Sequence, residues 1–424
     1  MKRVYAITLG CPKNRVDTER LLGGLHGHAR VVSEMQDADY VLINTCGFIQ
    51  PAVEESVRTI LETVREIQGM ENPPRLTVTG CLVQRFEQEL RKEIPEVDIW
   101  LPIAGQPKWP SLLRATEDPG LERRVLSTPP GYAYLKIGEG CRYSCKFCII
   151  PKLRGGLKSR PVESLKSEAA TLVRQGVKEI ILVAQDSTSY GQDLGMKNGL
   201  LRLLDALLPL QEQGLTWLRL LYLYPAGLTR ELLQEMSRMG PPLLPSFDIP
   251  LQHAHPDVLK RMGRPFSRDP RAVVEDVRSF FPHAALRTSL IVGYPGETRA
   301  QFRTLLDFVR QTRFHNLGVF PFHPEEGTPA ATMEDQVSAR AKSRRRREIM
   351  EVQAEISGDI LSAYEGEEID VLTDTVHPEW PGLYLGRAWF QAPEVDGVTY
   401  VSGPGVSPGR MVTAQVVEAK TYDL

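Results

Sequence analysis

Three cysteines within eight residues, Cys141-Arg-Tyr-Ser-Cys145-Lys-Phe-Cys148, constrain this sequence more than any other feature. A 4Fe-4S cluster held by three cysteines keeps one iron open to bind a small molecule. A structural zinc site instead uses four closed ligands, usually as two separated pairs, and no fourth Cys or His follows at such a spacing. The CxxxCxxC motif therefore predicts a catalytic iron-sulfur cluster. The alternative is a set of buried or adventitious free cysteines.

The other three cysteines, Cys11, Cys46 and Cys81, each end an apolar, β-branched run that begins at Val4, Tyr40 and Arg75. Helical patterns follow them, over roughly Asp17–His28, Val53–Gln68 and Gln84–Ile94. Strands that alternate with helices form parallel sheets, so the three cysteines are expected to converge at one sheet edge. Disulfides are the alternative, but three is an odd number for pairing. The pattern therefore predicts a second three-cysteine cluster with its own open iron.

Composition indicates an ordinary globular protein. The chain has 424 residues, of which 42% are hydrophobic and 25% charged, enough for two or three domains. The N-terminus starts with a strand pattern and not with a signal peptide, and no apolar run approaches the roughly 18 residues of a membrane span. Two oxygen-sensitive clusters need a reducing compartment, which predicts a cytoplasmic protein without membrane contact.

The predicted architecture is α/β with three domains. A three-cysteine domain with a parallel sheet covers 1–117, and a turn-rich linker covers 118–132. A partial (β/α)6 barrel with a connecting helix covers 133–357. Its predicted strands are Ala133–Ile137, Glu179–Val183, Leu218–Tyr222, Ser246–Ile249, Leu286–Val292 and Leu317–Phe320. Barrel chemistry occurs at the carboxyl ends of strands, and the CxxxCxxC loop follows the first strand.

Two features describe the C-terminal part. The charged stretch Arg340–Glu355 is interpreted as a solvated connecting helix, with ribosomal RNA contact as the alternative. Residues 358–424 show short alternating runs punctuated by Pro and Gly, which predict a small antiparallel β-barrel.

The whole chain resembles the methylthiotransferase family of radical S-adenosylmethionine (SAM) enzymes, and its last domain looks like that family's TRAM domain. The matching stretches are Gly10-Cys-Pro-Lys-Asn14, Asp17-Thr-Glu19, Asn44-Thr-Cys-Gly-Phe48, Thr79-Gly-Cys81, Ile150-Pro, Arg154-Gly155, Ser159-Arg160, Asp248-Ile-Pro-Leu-Gln-His253 and Val292-Gly-Tyr-Pro-Gly-Glu-Thr298.

The resemblance implies two 4Fe-4S clusters and SAM as cofactors. Cys141, Cys145 and Cys148 would hold the cluster that binds and reductively cleaves SAM, and an electron donor would supply the electron. Cys11, Cys46 and Cys81 would hold the cluster that carries the sulfur to be inserted, which requires a sulfur source. A radical is needed because no side-chain base deprotonates an unactivated carbon in water.

The resemblance also implies further SAM contacts, at Phe147, Gln185, Gly293, Pro295 and Gly296. Glu297 lies one residue later than the broader radical SAM pattern places its glutamate, and Gln185 or Asp186 would replace the usual acidic motif after the second strand. The guanidinium groups of Arg154 and Arg160 could bind a carboxylate of SAM or substrate. His253 and His323 are predicted near strand ends, where a structural role is favoured over ligation.

Two branches of the family differ in substrate. One methylthiolates the β-carbon of an aspartate in the twelfth protein of the small ribosomal subunit, and the other an adenosine beside the tRNA anticodon. Ala184–Gly191, Leu221–Pro225 and Gln391–Gly397 resemble the first branch. Residues 358–424 carry eleven acidic and three basic side chains, a charge that favours a basic ribosomal protein as partner and disfavours tRNA. A non-enzymatic iron-sulfur protein is a third reading, but electron carriers usually have four cysteines per cluster.

Overall fold

The computed structural model describes residues 1–113, 123–264 and 269–424. Its internal contacts divide the chain into two compact units. The N-terminal unit comprises Met1–Ser127, Gly140–Arg142 and Ile149–Gly156, and the C-terminal unit comprises Thr128–Glu139, Tyr143–Cys148 and Leu157–Leu424. The predicted end of the first domain, near Glu117, and residues 118–122 of the predicted linker lie outside the described residues.

The N-terminal unit is built on a five-stranded parallel sheet of order β2-β1-β3-β4-β5. Its strands are β1 Lys2–Thr8, β2 Ala29–Val31, β3 Tyr40–Thr45, β4 Arg75–Gly80 and β5 Ile99–Leu101. The apolar residues of β3 are fully buried because helices cover both faces of the sheet. The parallel sheet confirms the prediction. The two three-residue edge strands, β2 and β5, were not predicted, since they are too short to show a period of two.

The first three helices of this unit begin within four residues of a cysteine. They are α1 Pro12–Gly23, α2 Gln50–Gln68, α3 Cys81–Glu93, α4 Trp109–Leu112 and α5 Ile150–Arg154. The prediction for the first helix, Asp17–His28, is wrong at both ends. Helix α1 starts at Pro12 because proline suits the first helical position. It ends at Gly23, and Gly24 is its C-cap residue. Consequently Cys11 caps α1, and Cys81 is the first residue of α3.

The C-terminal unit contains the predicted six-stranded partial barrel, a parallel sheet of order β13-β12-β11-β10-β9-β6 with β13 and β6 at its edges. The strands are β6 Tyr132–Lys136, β9 Glu179–Val183, β10 Trp217–Leu220, β11 Leu243–Asp248, β12 Ala285–Val292 and β13 Asn316–Pro321, while the short strands β7 Gly138–Glu139 and β8 Lys158–Ser159 pair with each other. The helices are α6 Val162–Arg174, α7 Gly199–Leu207, α8 Arg230–Met239, α9 Pro256–Arg261, α10 Pro270–Phe280, α11 Arg299–Thr312 and α12 Ala339–Ser362.

Helix α12 contains the charged stretch, and it is not solvated on all sides as predicted. Arg345 is 8% exposed and forms an ion pair with Glu297 at 3.2 Å. Arg346 Nε donates to the carbonyl of Val319 on β13 at 3.3 Å. One face of the basic stretch therefore packs against an edge strand of the barrel sheet, which protects that edge from pairing with other chains.

The chain ends in a curled, four-stranded antiparallel sheet of order β16-β15-β14-β17. Its strands are β14 Glu368–Val376, β15 Leu383–Ala388, β16 Thr399–Ser402 and β17 Met411–Gln415. Val371, Ala388 and Phe390 of this sheet region pack in one cluster with Ala285 of β12. The sheet thus shares apolar core with the barrel. Among the described residues, no helix is both long and apolar enough to cross a membrane.

Candidate active site

The three N-terminal cysteines follow three adjacent strands, β1, β3 and β4, at their carboxyl edge. Two glycines permit the close approach. Gly10 has φ +88°, and a Cβ there would lie 2.7 Å from Cβ of Cys46. Gly80 has φ +105°, and a Cβ there would lie 2.3 Å from the carbonyl oxygen of Thr45. The structure therefore brings Cys11, Cys46 and Cys81 to one place, as expected for a parallel sheet.

Burial and one nearby guanidinium act on the thiols of this triad in opposite directions. Burial, with a smaller contribution from the neighbouring Cys11 and Cys81, raises the pKa of Cys46 to about 12. Burial also raises the pKa of Cys81, whereas the guanidinium of Arg154 lowers it. Cys11 and Cys81 stand at the N-termini of α1 and α3. Because their pKa values are raised, the thiols of Cys46 and Cys81 ionise readily only when a cation binds them, which suits metal ligands.

Arg154 connects the triad to two polar side chains of α1. Its Nε and Nη2 each lie 3.3 Å from Sγ of Cys81. Its Nη1 donates to Oδ2 of Asp17 at 2.9 Å, and its Nη2 also donates to Oδ1 of Asn14. The carboxylate that Arg154 binds is thus Asp17 within the N-terminal unit. For Arg160, the carboxylate is that of Glu168, at 2.7 Å.

The CxxxCxxC loop has a different environment around Cys145. Burial raises the pKa of this thiol, while the guanidinium of Arg264 and a hydrogen bond with the hydroxyl of Tyr224 lower it. The ring of Tyr224 stacks on Tyr143 with centroids 3.9 Å apart, and the Arg264 guanidinium lies over the ring of Tyr224, 4.5 Å from its centroid. Cys148 N–H donates to the carbonyl of Cys145 at 3.0 Å. A layered aromatic and cationic group therefore supports one thiol of the loop.

Phe147 and the turn after β12, two of the predicted SAM-binding elements, lie together. Phe147 packs in one apolar cluster with Ile291, Tyr294 and Phe322. Within the turn, Gly293 has φ +73° and Gly296 φ +72°, and Pro295 lies between them with Tyr294. The structure therefore places the aromatic residue of the cysteine motif beside the turn that the family resemblance assigns to SAM binding.

Glu297 stabilises that turn from within. Its Oε2 accepts hydrogen bonds from the backbone N–H groups of Gly293 and Tyr294, and its carboxylate pairs with Arg345. The side chain is buried. Burial raises the pKa of Glu297, against the opposing effect of Arg345 and the two N–H groups. These contacts give Glu297 a structural role in the turn.

Gln185, the predicted substitute for the acidic motif, forms a hydrogen bond with Glu139, a residue just before the cysteine loop. Its Nε2 donates to Oε1 of Glu139 at 2.8 Å. Lys136 at the end of β6 forms an ion pair with the same carboxylate. Asp186, the other candidate, accepts from Thr188 N–H at 2.8 Å and is 3% exposed. Asp186 therefore caps its own turn, and Gln185 with Glu139 forms the polar pair at this strand end.

The two histidines differ in burial. His253 is 0% exposed, and its Nδ1 accepts from His255 N–H at 2.9 Å. Burial lowers the pKa of His253 to about 3, with Arg261 and Arg345 adding to the effect. His253 is therefore neutral and structural, as favoured from the sequence. His323 is half-buried beyond the end of β13.

Sequence reasoning missed Asn14, Asp17, Tyr224 and Arg264 as members of the site. Asn14, Asp17 and Tyr224 stand in stretches that carry the family resemblance, so these positions had a sequence signal but no assigned role. Arg264 had no such signal. Its place beside Tyr224 depends on how residues 262–264 pack after α9.

The donor set fits iron-sulfur clusters better than single ions. Across residues 1–113, 123–264 and 269–424, no three Cys, His, Asp or Glu side chains stand close enough to hold one metal ion. In a 4Fe-4S cluster each cysteine binds a different iron, so the sulfurs stand farther apart than the ligands of one ion. Three converging thiols with a cationic neighbour suit the anionic cluster.

Comparison with known proteins agrees with this architecture. Residues 3–102 match the model of the uncharacterized protein family UPF0004, residues 135–309 the radical SAM superfamily, and residues 366–424 the TRAM domain. Among solved structures, the fold is similar to the radical S-adenosylmethionine methyltransferase TsrM from Kitasatospora setae. The TM-score is 0.53 at 12% identity, covering 91% of this chain and 77% of that one. OxsB, a cobalamin-dependent S-adenosylmethionine radical enzyme, gives a TM-score of 0.52 at 13% identity, covering 83% and 56%.

The three matched domains, in this order, define a radical SAM enzyme. Proteins named ribosomal protein uS12 methylthiotransferase RimO match over the full chain. The one from Nitratidesulfovibrio vulgaris is 58% identical, covering 100% of this chain and 99% of its own. The one from Aquifex aeolicus is 42% identical, covering 100% and 96%. The chain belongs to the RimO family of methylthiotransferases. This confirms the predicted class of enzyme, and two 4Fe-4S clusters and SAM are the cofactors of that class.

Proposed function

We propose that this enzyme replaces a C–H bond by a C–S–CH3 group at the β-carbon of an aspartate in ribosomal protein uS12. The observation that carries the proposal is the convergence of Cys11, Cys46 and Cys81 at one sheet edge, in a chain that also has the CxxxCxxC loop at the end of a barrel strand. A single cluster would suffice for radical formation, so a second triad is needed only for an added task, sulfur insertion.

The cysteine loop and the residues around it would each have a separate role in SAM cleavage. Cys141, Cys145 and Cys148 hold the cluster that supplies the radical, and Tyr224 and Arg264 support Cys145. Phe147 and the turn of Gly293, Pro295 and Gly296 form an apolar wall for SAM, and Gln185 with Glu139 offers acceptors for its ammonium group. An electron donor and a sulfur source are required as partners.

The surface charge of residues 358–424 supports a basic protein substrate. Of the three basic residues there, Arg387 is 2% exposed and is paired with Glu179 and Asp374. Acidic side chains on the outer surface include Glu367, Glu368 and Asp370. Asp374 and Asp396 of the same segment are also largely buried in ion pairs. The exposed face therefore stays strongly acidic, and it would repel tRNA while attracting a basic ribosomal protein.

Mass spectrometry of a deletion strain tests the proposal. The uS12 aspartate should lose its methylthio group when the gene is deleted, and a plasmid copy should restore it. The tRNA fraction of the same strain provides the control, because its methylthioadenosine should not change. Loss of the tRNA modification with intact uS12 would overturn the proposal in favour of the tRNA branch.

A further inference from the structure

The guanidinium of Arg154 donates to a sulfur that is proposed to bind iron. Its Nε and Nη2 lie 3.3 Å from Sγ of Cys81, within hydrogen-bonding distance of sulfur. The Arg154 side chain is only 2% exposed. In such a low-dielectric place, a charged donor acts on the sulfur much more strongly than it would in water.

Side chains on both sides fix the orientation of this guanidinium. Asp17 Oδ2 accepts from Nη1 at 2.9 Å, and Asn14 Oδ1 accepts from Nη2. Asn14 is itself anchored, because its Nδ2 donates to the carbonyls of Leu9 at 2.9 Å and Thr45 at 3.0 Å. The donors aimed at Cys81 are thus held in place by α1 and by the ends of β1 and β3.

Arg154 also lies six residues after Cys148 in the chain. The segment that follows one cysteine motif therefore supplies the donor for the other triad. Hydrogen bonds to cluster sulfurs and nearby positive charge stabilise the more negative, reduced form of a cluster, and they raise its reduction potential.

We propose that Arg154 is a positioning residue that raises the reduction potential of the cluster held by Cys11, Cys46 and Cys81, through two hydrogen bonds to the sulfur of Cys81. The inference deepens the proposed function, since it rests on ligation of a cluster by this triad. One thiolate of the three is distinguished by the contact, so the iron bound to Cys81 differs electronically from the others.

The test uses the full chain with Cys141, Cys145 and Cys148 changed to Ala, so that only the N-terminal triad can hold iron. Arg154→Met removes both donors, and Arg154→Lys keeps the charge. Arg124→Met is the matched control, because it removes a buried arginine paired with Glu19 in the same unit. Iron content and the midpoint potential from an EPR-monitored redox titration are measured.

All four proteins should hold about four irons. For Arg154→Met, the ratio of reduced to oxidised cluster at the parent's midpoint should fall about tenfold, a shift of about 59 mV to more negative potential for a one-electron couple. Arg154→Lys should lie between, and Arg124→Met should match the parent. If Arg154→Met loses iron, the midpoint potential of Arg154→Lys in the same titration tests the inference: a potential below the parent's supports it, and the parent's potential contradicts it.

A loaded Arg154 variant with the parent's potential would overturn this inference alone. A parent protein that binds no iron would overturn the proposed ligation as well, so the two failures are distinguishable.

Discussion

Arg387 on β15 donates to the carboxylate of Glu179 on β9 at 2.5 Å, with both side chains almost completely buried. Glu179 also accepts from Arg219 at 2.6 Å, and Arg387 pairs with Asp374 at 2.7 Å. Burial raises the pKa of Glu179, but the two guanidinium groups outweigh it and hold the pKa below its usual value. The C-terminal sheet is therefore joined to the barrel by a buried ionic network.

Arg387→Leu should destabilise the protein strongly, because it leaves buried carboxylates without their partner. The expected loss is about 3–5 kcal/mol of unfolding free energy, measured by urea unfolding. Arg238→Leu is the control, since Arg238 forms an exposed pair with Glu235, and its effect should stay within about 0.5 kcal/mol. Equal effects of the two substitutions would contradict a stabilising role of the network.

The two cysteine triads should separate in function. Anaerobic reconstitution of the wild type should load about eight irons, as two 4Fe-4S clusters require. Cys145→Ala should hold about half of that iron and lose SAM cleavage. Cys46→Ala should hold a similar amount, cleave SAM measurably and insert no sulfur. Methylthiolated uS12 from the Cys46 variant would exclude a sulfur-carrying role for the N-terminal triad.

Gly293→Ala should disturb the turn beside Phe147. A Cβ at Gly293 would lie 2.3 Å from Cγ of Lys342, whose Nζ donates to the carbonyl of Phe322 at 2.7 Å. Positive φ adds about 1–2 kcal/mol for any residue with a Cβ. Gly195→Ala is the control for the backbone strain alone. Gly195 has φ +67°, and a Cβ there would have no neighbouring atom within 4 Å.

Calorimetry should show weaker SAM binding for Gly293→Ala and unchanged binding for Gly195→Ala. Thermal unfolding should show a larger loss of stability for the Gly293 variant. Normal SAM affinity in the Gly293 variant would mean that this turn does not contribute to the SAM site.

Charge reversal should test the acidic face. Changing Glu367, Glu368 and Asp370 to Lys should weaken association with uS12 and make the remaining affinity less sensitive to salt, because fewer charge pairs form. Lys substitutions at Glu71, Glu93 and Glu96, which are exposed in the N-terminal unit, control for net charge. Surface plasmon resonance at several salt concentrations gives both quantities. Identical affinities for the two triple variants would place the docking surface elsewhere.

His253 should make stability depend on pH. Its folded pKa is about 3, whereas an unfolded histidine has a pKa near 6.5. The unfolded state therefore binds more protons between these values, so stability is complete above about pH 6.5 and falls as pH decreases. From pH 7.5 to pH 5 His253 alone should account for a loss of about 2 kcal/mol; His315, whose pKa burial lowers to about 4, adds to the total. Urea unfolding of the cluster-free protein should show stability falling over this range, and His253→Gln should reduce the fall by about the share of His253. If stability depended on pH equally in the wild type and in His253→Gln, a lowered pKa of His253 would be contradicted.

The sequence by itself determined the two cysteine triads, the order of the longer strands and helices, and the class of the three main sheets. Local signals suffice for these, because a strand that ends in glycine and cysteine before a helix is recognisable within about ten residues. Cys11, Cys46 and Cys81 could be expected to meet because parallel strands end at one edge. The sequence also determined the acidic balance of residues 358–424.

Only the tertiary structure decided which polar side chains serve the thiols. Arg154 lies 73 residues from Cys81 in the chain, and Tyr224 is 79 residues from Cys145, so no periodicity relates them. The partner of a buried charge depends on packing between distant segments. For the same reason Arg345, predicted to be solvated, is buried in an ion pair with Glu297. Sequence patterns report burial along one element, whereas hydrogen-bond partners across elements follow from how those elements pack.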